Sequence, residues 1–224
     1  MMTIKRFEVN PLCENCYVVS DETSKDENGV SKKEAVIIDC GCSDEYEWEE
    51  IKKYIADEGL QVKHLLNTHL HFDHVWGNTF VYRDFGLRPE ANYEDLHIYE
   101  NMDEQIRSVV GVGIPHPPLP PLGTSLLDGS EITFGQTTLK VIATPGHSRG
   151  CICFYSEKDA VLFSGDTLFC GSCGRTDLEG GSYHDIVLSL QRLTILPDET
   201  QVFCGHGPST TIEREKRYNL YFRG

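Results

Sequence analysis

Apolar and polar residues alternate with period two in some stretches of the chain and recur every three to four positions in others, which reads as short strands mixed with helices. Strands are predicted at 3–9, 15–20, 35–39 and 62–67. Trp48, Ile51 and Ile55 fall at helical spacing between Ser43, a good capping residue, and Gly59, a good terminator. This predicts a helix from Ser43 to about Glu58 with those three side chains in the core. Another helix is predicted over 75–85. The second half repeats the pattern, with strands at 138–143, 151–155, 160–163 and 201–204 and a helix over 183–193. Similar halves of this kind suit sheets covered by helices. The polar stretch 21–29 reads as an exposed hairpin loop without function. Residues 115–122 are too rich in proline for a helix or a sheet interior and read as a stiff, extended connection between the halves.

Composition adds limits to this picture. A chain of 224 residues with 39% apolar content is long enough for a substantial core, and residues 1–224 are expected to form one domain. No run approaches the roughly 18 apolar residues of a membrane span, and the first residues lack a signal-peptide core, so a cytoplasmic location is expected. The formal charge of -15 argues against nucleic acid as a partner, because binding a polyanion needs a dense positive surface. The nine cysteines are odd in number and scattered, and are expected to be small buried hydrophobes rather than a disulfide framework. Cys40 and Cys42, flanking Gly41, leave a redox switch open, and Cys170 and Cys173 are the two expected to come nearest to the site described next.

That site begins where the predicted strand at 62–67 ends. Thr68-His69-Leu70-His71-Phe72-Asp73-His74 concentrates three imidazoles and a carboxylate in one turn, far more ligating capacity than a fold needs for stability. In an extended segment alternate residues point the same way, so His69 and His71 can share one ion. Asp73 and His74, turning into the following helix, suit a second. Three further residues occupy the same kind of position. His147, Asp166 and His206 each follow an apolar run and have glycine immediately before them, as expected where backbone turns sharply. His116, in the proline-rich stretch, has no such setting and is not expected to ligate.

The ordered set of HxHxDH, Pro145-Gly146-His147-Ser148, Gly165-Asp166-Thr167 and Gly205-His206-Gly207 resembles the metallo-β-lactamase superfamily. The run from Gly165 to Leu178 resembles its glyoxalase II-like branch in the short bacterial form, without the extra helical domain that full-length members carry. The resemblance implies an α/β fold, a four-layer αββα sandwich with the metal site at one edge. It implies two divalent cations, zinc in first place with iron or manganese as alternatives. His69, His71 and His147 would hold the first, Asp73, His74 and His206 the second, and Asp166 would bridge them. It also places a segment that covers the substrate near 115–122, making that stretch a candidate lid.

Nitrogen and carboxylate ligands without cysteine fit those metals. A carboxylate has two oxygens, so Asp166 can hold two ions at the roughly 3.5–4 Å typical of two-metal sites, and a shared water would then ionise near pH 7. Asp73 and Asp166 are accordingly the candidate catalytic carboxylates. A thiol ester suits such a site, since a thiolate leaves without the protonation an amide nitrogen requires. The expected function is a thioesterase cleaving S-acyl conjugates of glutathione or a similar small thiol. Arg175 and the cluster Arg214, Lys216 and Arg217 are candidate contacts for an anionic substrate, although the cluster reads equally as the solvated face of a last helix. One alternative is the persulfide dioxygenase branch, in which His69, His147 and Asp166 would hold a single iron. Another is a metal-binding scaffold without catalysis.

Overall fold

The architecture was analysed in a computed structural model, which describes residues 2–25 and 31–223. The first sheet runs β1 (Met2–Val9), β2 (Glu14–Lys25), β3 (Ser31–Ile38), β4 (Leu60–Leu66) and β5 (Pro89–Glu90), in that spatial order. The first three strands pair antiparallel and the last three parallel. Parallel neighbours need a crossover. Helix α1 (Glu45–Asp57) supplies it between β3 and β4, and α2 (Phe72–Val75) with α3 (Asn78–Phe85) between β4 and β5. Helices α4 (Leu96–Glu100) and α5 (Met102–Val110) precede the second half.

That half contributes β6 (Glu131–Phe134), β7 (Thr137–Ala143), β8 (Ile152–Ser156), β9 (Val161–Gly165), a small hairpin of β10 (Leu168–Phe169) and β11 (Ser172–Cys173), helix α6 (Tyr183–Leu193), β12 (Gln201–Cys204), β13 (Thr210–Thr211) and α7 (Ile212–Tyr218). Its main sheet is ordered β13-β12-β9-β8-β7-β6. Because β7 and β9 are both antiparallel to β8, and β12 is parallel to β9, the carboxyl ends of β7, β9 and β12 share one edge.

Alternation along the strands divides the core into layers. Tyr17, Val19, Val36 and Ile38 face inward and meet Phe134, Val141, Ile152, Phe154 and Phe163 of the other sheet. Their neighbours Cys16, Val18, Ala35 and Ile37 face outward onto Trp48, Ile51 and Ile55 of α1 and Phe80 of α3. On the far side Cys153, Leu162, Val202 and Cys204 pack under Ile186, Leu190 and Leu193 of α6. The result is the expected αββα sandwich. Trp48 is fully buried, and truncating it to alanine removes about 3–5 kcal/mol of stability.

Several sequence expectations are corrected in detail. Helix α1 is capped by Asp44, which accepts from Glu47 N at 3.0 Å, while Ser43 donates its N–H to Glu47 Oε2 at 2.7 Å. Gly59 does end it, with φ +65°. The single helix expected over 75–85 is two, because Gly77 is pressed on the first half's core. Its N–H donates to Cys40 O at 2.8 Å, and a Cβ there would lie 2.6 Å from Cys40 Sγ. The expected loop at 21–29 begins as strand. Asp21 is buried and accepts from Gln136 N at 2.8 Å and Thr137 Oγ1 at 2.9 Å, so it ties β2 to the β6–β7 turn. Residues 26–29 of that stretch lie outside the described residues.

The proline-rich stretch is irregular, as expected, and is held by Tyr99 Oη donating to Pro120 O at 2.8 Å and by Leu119 and Leu122 packing on the cluster of Leu70, Phe72 and Ile106. It borders a groove of about 760 Å³ whose lining includes Tyr93, Tyr99, Met102, Arg107 and His116 and none of the seven candidate ligands. Six of the nine cysteines are buried and all are free thiols. Among the described residues no helix is long and apolar enough to cross a membrane.

Candidate metal centre

The seven candidate ligands converge at the shared strand edge, and each arrives for a local reason. The HxHxDH turn is fixed by Asp39, which accepts from Thr68 N at 2.8 Å and Thr68 Oγ1 at 2.7 Å. Leu70 is driven into the core beneath, leaving His69 and His71 on the opposite side. Gly146 has φ +140°, and a Cβ there would fall 2.3 Å from Ile186 N, so only glycine lets the turn carrying His147 lie on α6. Gly205 permits an equally close approach, since a Cβ would stand 2.3 Å from Asp166 Oδ1. The two sheets are stitched at this edge by Asn15 N donating to Gly205 O at 2.7 Å and Ile152 N donating to Thr68 O at 2.8 Å.

Several imidazoles are oriented from behind through Nδ1, which leaves Nε2 aimed inward, as ligating histidines usually are. His147 Nδ1 donates to Arg175 O at 2.8 Å, and His206 Nδ1 to Leu12 O at 3.1 Å. His74 Nδ1 stands 3.1 Å from Asp39 Oδ2. The inward atoms form overlapping groups of ligating atoms: His69, His71 and His147; His69, His74 and Asp166; and Asp73, His74 and His206. His71 Nδ1 is 2.8 Å from His147 Nε2, and His206 Nε2 is 3.2 Å from Asp73 Oδ2. Asp166 stands between the groups, with Oδ1 3.4 Å from His74 Nε2 and Oδ2 3.5 Å from His147 Nε2.

The donor set fits divalent cations. His69 Nε2 and Asp166 Oδ1 are buried without hydrogen-bond partners, which is costly unless something else satisfies them. Burial and neighbouring histidines push the His69 pKa well down and that of His71 down to about 3, so both are neutral ligands. Burial opposes charge on His74 and His206 too, but Asp166 and Asp73 outweigh it and raise both. Asp73 and Asp166 are likewise buried, yet the cationic histidines hold them ionised.

The four candidate substrate cations are engaged elsewhere. Arg175 pairs through both arms with Asp177 at 2.7 Å each, and contributes its carbonyl to His147. On α7, Arg214 pairs with Glu215, Lys216 with Asp198 and Arg217 with Glu213, each at 2.6 Å. Near Cys170 and Cys173, the contacts with the site come from their neighbours. Phe169 meets the His206 ring edge-on at 6.2 Å, and a Cβ on Gly174 would lie 2.0 Å from Asp166 O. Two residues were missed from sequence. Asp39 sits at a strand end after an apolar run, as three of the ligands do, but without the glycine that precedes those. Glu14 is fully buried, 3.8 Å from His74 Nδ1, and nothing local distinguishes it.

A sandwich with imidazoles and carboxylates gathered at its strand edge in groups that could hold a metal ion defines the class. The chain belongs to the metallo-beta-lactamase superfamily, which it matches over residues 14–206. It is 36% identical to an uncharacterized protein of Aquifex aeolicus over 98% of this chain and 97% of that one. It is 29% identical to the probable metallo-hydrolase YqgX of Bacillus subtilis over 100% and 99%. A hydroxyacylglutathione hydrolase of Methylococcus capsulatus is 37% identical over 66% of this chain but 49% of its own length. Among solved structures, the BLEG-1 B3 metallo-beta-lactamase superposes with TM-score 0.83 at 32% identity, covering 99% of this chain and 100% of that one. TTHA1623 in a di-iron-bound form superposes with TM-score 0.79 at 37% identity, covering 97% and 99%.

Proposed function

We propose that this protein is a binuclear metal-dependent thioesterase of the glyoxalase II-like type, cleaving S-acyl conjugates of glutathione or a similar small thiol. The observation that carries the reading is the placement of Asp166 between the two groups, with Oδ1 3.4 Å from His74 Nε2 and Oδ2 3.5 Å from His147 Nε2 and 3.7 Å from His206 Nε2. His69, His71 and His147 would hold one cation, Asp73, His74 and His206 the other, with Asp166 shared. Zinc and iron both suit the donors, and the di-iron-bound relative supports iron as strongly as the donor chemistry supports zinc. Two bound cations would supply Lewis acidity toward the thioester carbonyl and acidify a shared water.

The protein's own groups supply the rest. Arg175 O and Leu12 O hold the Nδ1 protons of His147 and His206, keeping the rings from turning during a cycle. Asp73, held ionised 3.2 Å from His206 Nε2, is placed to accept the proton of the attacking water. Thiolate departure needs no further acid. Arg175, Arg214, Lys216 and Arg217 can meet an anionic thiol only by leaving their present carboxylate partners, and we assign them that role with Arg175 foremost.

Elemental analysis of the protein purified without added metal, paired with hydrolysis of S-lactoylglutathione, tests the reading. Two equivalents of metal with rapid cleavage support it. A second reading, β-lactam hydrolysis, has one specific point in its favour, the whole-length likeness to a B3 metallo-beta-lactamase. Cleavage of a β-lactam with no cleavage of the thioester would put that reading first. One equivalent of iron with neither activity would favour persulfide oxidation by His69, His147 and Asp166.

A further inference from the structure

Asp95 lies outside the cluster of candidate ligands yet touches the backbone on both sides of it. It closes the 3-10 turn Tyr93–Asp95, whose cap is Asn92 accepting from Glu94 N at 2.9 Å. Its side chain is buried, and both of its oxygens accept hydrogen bonds. Oδ2 accepts from Leu70 N at 3.3 Å and from Ser148 Oγ at 2.6 Å, while Oδ1 accepts from Gly150 N at 2.6 Å. Leu70 stands between His69 and His71, and Ser148 follows His147. Gly150 has no side chain for a steric reason, since a Cβ there would lie 2.6 Å from Asp95 Cγ.

We propose that Asp95 is the positioning residue that sets the spacing between the His69-His71 segment and the His147 turn, and thereby the affinity of the three-histidine group for its cation. The inference rests on the reading of that group as an ion site. The two segments belong to different sheets, so no strand pairing fixes their separation. Ile152 N donating to Thr68 O is one link between them, and the Asp95 carboxylate is another. Ligand distances tolerate only about 0.2 Å, so a shift of the turn by a few tenths of an ångström is enough to weaken the group. The Asp73, His74 and His206 group has separate stays in Asp39 and Leu12 O, so the effect is confined to one of the two ions.

The test is a cobalt(II) titration of the chelator-treated full chain, followed by calorimetry and visible absorption. Asp95→Asn is nearly isosteric, but its amide group cannot accept from whichever backbone N–H it faces. Ser148→Ala removes one arm and leaves both backbone arms, which keeps the test open if the first variant folds poorly. The parent takes up two equivalents. In Asp95→Asn one binding step weakens about 10–100-fold and the other stays within about twofold, and in Ser148→Ala the same step moves less. Combined with His206→Ala, which removes a ligand from the other group, Asp95→Asn leaves no tight step. Two unchanged steps in both variants overturn the proposal. So do two steps weakened equally together with a lower melting temperature of the metal-free chain, which is what a purely structural role produces. A parent that takes up no cobalt overturns the underlying reading of the site, and the proposal with it.

Discussion

The two ligand groups differ in chemistry more than in position. His69, His71 and His147 are all imidazole, and burial among like neighbours keeps His69 and His71 uncharged. Asp73, His74 and His206 mix a carboxylate with imidazoles whose affinity for protons is raised by Asp166 and Asp73. His69 and His71 present lone pairs with nothing to displace. The second group presents lone pairs that a cation must take from protons. On the proposed assignment, with Asp166 shared, the two groups should therefore load and empty in a fixed order, the group that contains His69 and His71 holding its ion longer.

Removing the shared carboxylate is the strongest way to break that contrast. Asp166→Ala is expected to lower thioester turnover by on the order of 10³-fold or more and to reduce bound metal below two equivalents. Full metal content with full activity would rule out a shared ligand. Acidification comes next. Below its raised pKa each of His74 and His206 takes up a proton, so affinity at the mixed group falls about tenfold per pH unit per proton displaced, whereas His71 stays neutral down to about pH 3. Elemental analysis after dialysis at stepped pH should show one equivalent leaving before the other, and simultaneous release would remove the distinction between the groups.

Asp39→Asn sharpens the comparison at smaller scale. It disturbs His74 directly and His69 only through Thr68, and should weaken the second ion about 10–100-fold and the first less. Equal weakening of both ions would mean that Asp39 acts chiefly through the turn and not through its contact with His74. The smallest effect belongs to Arg175→Ala. The carbonyl that receives the His147 proton survives the change, so metal content should be unaltered, and KM for an anionic thioester should rise with little change in kcat. Lost metal would show that the side chain, too, supports the ring.

The ligands were legible because four share the one HxHxDH run and His147, Asp166 and His206 each follow an apolar run and a glycine. Period-two alternation likewise marked most strands, and the facing of Tyr17 and Val19 against Cys16 and Val18 follows from it. What sequence left hidden depends on contacts between distant segments. The break between α2 and α3 exists because Gly77 meets Cys40, and Asp21 is buried because the β6–β7 turn arrives from the other half. Asp95 is the extreme case, a polar residue in a polar stretch whose partners lie 25, 53 and 55 residues away. Nothing nearby in the chain records them.

The seam where Asn15 meets Gly205 and Thr68 meets Ile152 has a consequence for how the protein is made. Four of the seven candidate ligands belong to the first half of the chain and three to the second, so a nascent chain can assemble neither proposed ion site until the second half docks, and the Asp73, His74 and His206 group only once β12 is in place. Metal capture would then report docking of the halves, and protection of the Asn15 and Ile152 amides from hydrogen exchange should rise when cations are added. Bound ions would act as a latch on a book whose covers are the two halves.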